Sequence, residues 1–396
     1  MQANELLDVV FRWAHLIAGI MWIGNSMLFN WLDRNLIAPP ADPAHRLSQG
    51  KIFMVHSGAF YEVEKKLLEP GQLPDQLHWF KWQNFLTWLT GICLLVVVYY
   101  MNDAAFLIDP SVRAMSQAEA IGLSVGTLVA AWVAYDLVWT TVGRRTPALA
   151  TALSFALLFG AAYGFTLLFS GRAAYVQTGV MIGTLMTGNV WMRILPSQKE
   201  LIAATRAGQE QDATLSLRAK QRSIHNNYLT FPLLFIMISN HFPSTYGHHL
   251  NWLVLAALMI GGAGVRHFMN VRYAGKAWLF PALAMAVIGL AGTMIVTRIR
   301  EAPAVTIEGE VGFARASEII QARCASCHSA QNSDPQFPVA PGNIVFDTPE
   351  RIGAMAARIK DRAVVNKTMP FLNRTQMTEA ERAELGKWVD GGAKLR

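Results

Sequence analysis

The chain has 396 residues, of which 53% are hydrophobic and 15% are charged. Soluble domains average about 25% charged residues, so this composition excludes a disordered chain and argues against an ordinary soluble enzyme. The formal net charge is +7, which marks either a nucleic-acid surface or Lys and Arg retained on one side of a membrane; their positions decide.

A bilayer-crossing helix needs about 20 mostly apolar residues. Eight stretches meet that need, at 6–32, 79–101, 118–142, 147–169, 173–195, 226–242, 249–268 and 278–297. The sixth is the weakest, being short, interrupted by Pro232 and polar at Asn226, Asn227 and Asn240. Trp13, Trp31, Trp79, Trp139, Trp191, Trp252 and Trp278 lie near span ends, where interfacial Trp belongs. Gly160 with Gly164, and Gly179 with Gly183, are spaced to let helices approach closely.

The connections set the orientation. Odd-numbered ones carry sixteen basic residues, among them Arg34, Arg46, Lys65, Arg144, Arg193, Arg222, Arg272 and Lys276. Even-numbered ones and the exit carry four: Arg113, Arg172, Arg298 and Arg300. The positive-inside rule then places both termini on the outer side. The basic residues follow loops and form no stripe, so no nucleic-acid partner is expected. The first apolar run lacks a basic leader and a small-residue cleavage site, so it is expected to remain as an anchor. Beyond Arg300 the composition reads as soluble. The expected organisation is a polytopic membrane domain at 1–300, a linker at 301–311 and a small domain at 312–396.

The small domain carries the strongest chemical signal. Cys324-Ala325-Ser326-Cys327-His328 is the C-x-x-C-H pattern of covalent haem c attachment. Two thiols at this spacing bond to the two vinyl groups, and the next residue brings an imidazole to the iron. A redox dithiol would need a βαβ context and a zinc site a second ligand pair; neither is present. Cys93 sits in an apolar run and reads as an inert buried thiol. Met369, in a loop between helical patterns at 350–364 and 378–389, is the expected second axial ligand, ahead of Met355 and Met377; His/Met ligation favours a high potential. Thr378 and Glu381 form a capping box, and Gly391-Gly392 ends that helix. Trp388 and Val389 are expected to pack on an opening helix at 313–322. The fold class is therefore all-α: about eight spans followed by a class I-like cytochrome c domain. Haem c is attached outside the cytoplasm, which agrees with the orientation read from loop charges.

In the membrane part no Rossmann, Walker A or H-E-x-x-H pattern occurs. Ionisable groups at membrane depth suggest function by default. His15 and Asp136 lie within spans; His225 and His241 open and close the sixth span; His56 lies in the first inner loop. These five are the catalytic candidates. Against each stands the plainer reading of a satisfied core or hydrated interfacial side chain. His78, His267, His248 and His249 are further candidates, open to the same plainer reading. An additional haem b is open, with His15 and His241, or His225 and His267, as ligand pairs.

The strings Arg12-Trp13-Ala14-His15, His56-Ser57-Gly58-Ala59-Phe60-Tyr61, His78-Trp79-Phe80-Lys81-Trp82, His225-Asn226-Asn227-Tyr228, Ser239-Asn240-His241 and Arg266-His267-Phe268-Met269-Asn270 carry a resemblance over nearly the whole chain, as do Met369-Pro370 and the segment after it. The sequence resembles the bacterial membrane-bound urate oxidases (urate hydroxylases) with a C-terminal cytochrome c domain. The resemblance implies oxidation of urate to 5-hydroxyisourate in purine catabolism. Electrons would pass to haem c and on to a downstream cytochrome or terminal oxidase of the respiratory chain, without peroxide release. It implies a bacterial inner membrane, with both termini periplasmic. The alternative is a transporter or sensor of a small molecule carrying a tethered cytochrome c.

Overall fold

A computed structural model describes residues 3–42, 47–101, 104, 106–110, 112–271, 277–299, 305–334, 337 and 339–395. Linker residues 301–304 and the loop cations Arg46, Arg272, Lys276 and Arg300 lie outside the described residues.

The first 300 residues form a bundle of long helices. In chain order they are α1 (Ala3–Asn35), α2 (Trp82–Leu94, prolonged by a π-helical turn at Leu95–Tyr100), α3 (Gln117–Thr140), α4 (Pro147–Leu168), α5 (Gly171–Asn189, followed by a π-helical turn at Val190–Ile194), α6 (Leu195–Arg206), α7 (Ala213–Ile238), the short α8 (Pro243–Tyr246), α9 (Asn251–Val271) and α10 (Leu279–Arg298). All eight expected spans are helical. Among the described residues six helices are long and apolar enough to cross a membrane: Asn4–Asn35, Trp82–Tyr100, Gln117–Arg144, Pro147–Leu168, Asn251–Val271 and Leu279–Arg298.

α5 and α7 do not meet that test, for a physical reason. α5 is the centre of the bundle, packed by α2, α3, α4 and α7, and it buries Tyr175, Gln177, Thr178 and Asn189 together with Ile182 and Met186. A helix surrounded by helices can hold polar groups if partners satisfy them. Gln177 does so, accepting from Ser124 Oγ at 2.8 Å and donating to the Ser124 carbonyl at 2.8 Å. α7 begins at Ala213, well before the expected 226, because its polar first half continues the helix. The outer helices instead present apolar side chains: Val9, Trp13, Leu16 and Ile20 on α1, and Phe280, Leu283, Val287, Leu290 and Ile295 on α10, are exposed. Exposed apolar area on this scale calls for a covering phase.

Two expectations need correction. The close helix contacts foreseen at Gly160, Gly164 and Gly183 are absent, since a Cβ there would meet nothing. Gly179 does permit the α5–α7 approach, where a Cβ would lie 2.6 Å from Ile236, and α9 and α10 cross at Gly261 and Gly289, where it would lie 2.9 Å from a backbone carbon. The fold is also not purely helical. β1 (Ser48–His56) and β2 (Ala59–Lys66) form an antiparallel hairpin between α1 and α2. Its turn, Ser57-Gly58, has φ of 52° and 76°, the double positive φ that matches strand twist in a two-residue hairpin. Lys51 and Glu62 pair across the strands at 3.0 Å.

The C-terminal unit comprises α11 (Phe313–Arg323), α12 (Pro349–Ala354), α13 (Ala356–Ile359, followed by a π-helical turn at Lys360–Val365) and α14 (Glu379–Asp390). Ile319, Ile320, Ile352, Leu385 and Trp388 form its core. As expected, Trp388 meets Phe313, at 6.1 Å between rings, and the Thr378–Glu381 capping box starts α14. The helix expected over 350–364 is broken at Met355. This unit sits at the bundle end away from the hairpin, against the connections after α2, α4 and α7.

Candidate functional site

A cavity of about 920 Å³ lies between the C-terminal unit and the bundle. Cys324, Cys327, His328 and Met369 all line it. The chain achieves this by turning at the end of α11, where Cys327 N–H and His328 N–H both donate to the Cys324 carbonyl, at 3.2 and 2.9 Å. The turn puts two thiols and an imidazole on one wall. His328 Nδ1 donates to the Ile344 carbonyl at 3.0 Å. That bond fixes the ring and leaves Nε2 as its free ligand atom, the usual support for a metal-bound histidine.

Both cysteines are free thiols. Burial, then the neighbouring Cys327, pushes the Cys324 thiol up to about 12, so it stays protonated at neutral pH and is a poor redox nucleophile. Among the described residues no group of three or more His, Cys, Asp or Glu is arranged to hold a metal ion. Two thiols, an imidazole with a free Nε2 and a thioether around one largely apolar cavity are the donors that could hold a covalent haem.

Met369 is held by its backbone. Its N–H donates to the Arg362 carbonyl at 3.0 Å, and its carbonyl accepts from Arg382 Nη1 at 2.8 Å. Arg382 is buried on α14 and also donates to the Ala363 carbonyl and, at 3.2 Å, to Asn373 Oδ1. Sequence reasoning missed this residue, whose only signal is a charge on the inner face of an amphipathic helix. Met377 belongs to the core, whereas Met355 also lines the cavity. Arg382→Ala leaves two buried carbonyls without their donor, a cost of about 1–3 kcal/mol each. The expected result is a loosened Met369 loop; if these residues hold a haem, a redox titration should read it as a lower haem potential.

The bundle closes the cavity with Phe106, Tyr163, Arg172, Tyr246, His248 and Trp252. Phe106 stacks edge-on against Phe371 of the C-terminal unit at 4.8 Å. Gly247 lies so close that a Cβ would come within 2.7 Å of the Asn366 carbonyl. His248 Nε2 donates to the Ile299 carbonyl at 3.0 Å, and its Nδ1 accepts from Leu250 N–H at 3.1 Å.

The catalytic candidates are scattered. Asp136 and His225 join one cluster at the hairpin end. Asp136 Oδ1 accepts from Arg222 at 2.9 Å and from Arg193 Nε at 2.8 Å. Arg222 also donates to Asn189 Oδ1 at 3.2 Å and lies 5.0 Å from the Tyr135 ring centre. Asn189 donates to the Tyr135 hydroxyl at 3.0 Å, which lies 2.7 Å from His225 Nδ1. Trp139 packs on the His225 ring at 4.1 Å. Tyr135, Asn189 and Arg222 escaped the sequence reading because their partnership is tertiary. His15 is elsewhere, joining α1 to α2: its Nδ1 donates to the Thr87 carbonyl at 2.9 Å, and Gly91 gives the ring space. His56 is exposed beside the hairpin turn, and His241 is exposed after α7. Of the histidines considered for a haem b, His15 bonds Thr87, His225 bonds Tyr135 and His267 bonds Tyr228 at 2.8 Å.

Fold and site together define a helical, apolar bundle with a small helical unit whose thiol pair faces a cavity shared with it. The chain belongs to the family described as urate oxidase N-terminal, whose model matches residues 1–297. The match ends where α10 ends and the C-terminal unit is still to come. No curated protein and no solved structure matches the chain.

Proposed function

We propose that this urate oxidase-related chain is a membrane-bound oxidoreductase that oxidises urate to 5-hydroxyisourate and sends the electrons out through a haem c. The observation that carries the reading is the shared cavity. It sets Cys324, Cys327, His328 and Met369 against the end of a bundle that belongs to a urate oxidase family. Urate plus water gives 5-hydroxyisourate, two electrons and two protons. A covalent haem held by these four residues supplies a one-electron acceptor of high potential. The residues of the chain do the rest: His328 is fixed by Ile344, and Arg382 and Arg362 hold the Met369 segment.

In this reading the six apolar helices cross the bacterial inner membrane, with α5 and α7 crossing inside their shelter. The loop charges then put both termini and the C-terminal cytochrome c domain in the periplasm. The electron acceptor beyond the haem is a downstream cytochrome or terminal oxidase. Membranes containing the protein should consume urate in step with respiration and form no hydrogen peroxide. Stoichiometric peroxide from purified protein would contradict the haem outlet. A transporter or sensor with a tethered cytochrome is the second reading, and vesicles separate it: they would accumulate urate without consuming it.

A further inference from the structure

We propose that urate binds within the interdomain cavity itself, with Arg172 as its anion-binding residue, and so enters from the face that carries the C-terminal unit. This rests on the function proposed above. Urate at neutral pH is a small, flat, aromatic monoanion. It needs a cation, hydrogen-bonding groups and a flat apolar wall.

The bundle side of the cavity offers these. Arg172 is half-buried at the start of α5 and lines the cavity. Its Nε donates to the neutral Asn240 Oδ1 at 3.0 Å, and its guanidinium lies 4.8 Å from the Phe106 ring centre. These contacts orient the group, and among the described residues no carboxylate forms an ion pair with it. Other cations of the cavity are matched by carboxylates: Arg323 by Glu381 at 2.9 Å, Arg374 by Asp334 at 3.1 Å, Lys367 by Glu379 at 2.9 Å and Arg362 by Asp361 at 3.5 Å. Arg358 has no such carboxylate among the described residues, but it is exposed. Tyr163 and Trp252, edge-on at 5.2 Å, supply aromatic wall.

Size and alternatives point the same way. At about 920 Å³ the cavity lies within the ~300–1,000 Å³ typical of ligand sites, and its bundle wall carries Arg172, Tyr163 and Trp252. The Asp136 cluster is the competing place. Its two guanidiniums share Asp136, and Arg222 also has Asn189, so the cluster's positive charge is matched by a carboxylate. The cavity also places urate beside Cys324 and Met369, so electrons need no relay through the bundle.

Arg172→Gln tests this in the full-length holoprotein. Labelled-urate dialysis and steady-state kinetics should show a dissociation constant and KM raised about tenfold or more, the loss of one charge-assisted bond. Haem spectrum and potential should stay unchanged, and Arg172→Lys should recover part of the affinity. An unchanged affinity overturns the proposal. So does a shifted haem potential with unchanged affinity, which would mean that Arg172 pairs with a haem propionate. If Arg172→Gln fails to hold haem, sidedness in the wild type decides: urate should reduce the haem in right-side-out vesicles, and reduction in inverted vesicles alone overturns the proposal. A wild-type holoprotein that urate cannot reduce at all would instead refute the function on which this rests.

Discussion

Replacing Cys324 and Cys327 together by serine abolishes covalent haem and brings urate-driven electron output to background. The two thiols line the cavity beside His328 and are free of any disulfide. Serine keeps the shape of the turn, whose bonds are made by the backbone to the Cys324 carbonyl. What it removes is the chemistry, since an alcohol forms no thioether with a vinyl group. The measurement is pyridine haemochrome after acid–acetone extraction, alongside urate consumption. Haem that still resists extraction in the double variant would place its attachment elsewhere.

Asp136→Asn destabilises the bundle more than any other single change proposed. Arg222 is only 5% exposed, so its charge depends on the carboxylate 2.9 Å away. Removing one partner of a buried ion pair costs about 3–5 kcal/mol, because the other charge is stranded. Arg193, the second guanidinium on Asp136, has a side chain 43% exposed, and Arg193→Gln should cost about 1 kcal/mol or less. Thermal unfolding in detergent should therefore show a large drop for Asp136→Asn, a small one for Arg193→Gln, and substantial recovery in Asp136→Asn with Arg222→Gln. Urate KM should be unchanged in the protein that survives. Wild-type stability with a collapse of turnover would instead make Asp136 the proton acceptor of the reaction.

The helices are legible in the sequence because each outer one must be apolar over a span length, whatever its neighbours. α5 shows where that rule weakens. Its Gln177 and Asn189 are tolerated because Ser124, Tyr135 and Asn226 satisfy them, and Thr178 bonds the Ala174 carbonyl of its own helix; no composition window sees the partners on other helices. The hairpin had a local signal, since Ser57-Gly58 separates Ile52–Val55 from Phe60–Val63, two runs rich in β-branched and aromatic residues. Reading the segment only as a connection hides it.

The cavity's chemistry divides the same way. Cys324, Cys327 and His328 are local in sequence, and spacing alone exposes them. Met369 is legible as a methionine in a loop between helices. Arg382 and Arg172 are not. One acts by holding the Met369 carbonyl from another helix, the other by facing a cavity from the far side of a domain boundary. His15 illustrates the converse, a histidine within a span whose ring is used to join α1 to α2.

In the proposed function, electrons from urate leave through a haem of the same chain. The direct measurement is anaerobic addition of urate to purified, oxidised holoprotein, followed in the visible spectrum with product analysis. The expected result is reduced haem c, with two haems reduced for each 5-hydroxyisourate formed. An intact haem that stays oxidised while urate is present, and that dithionite then reduces, would contradict it.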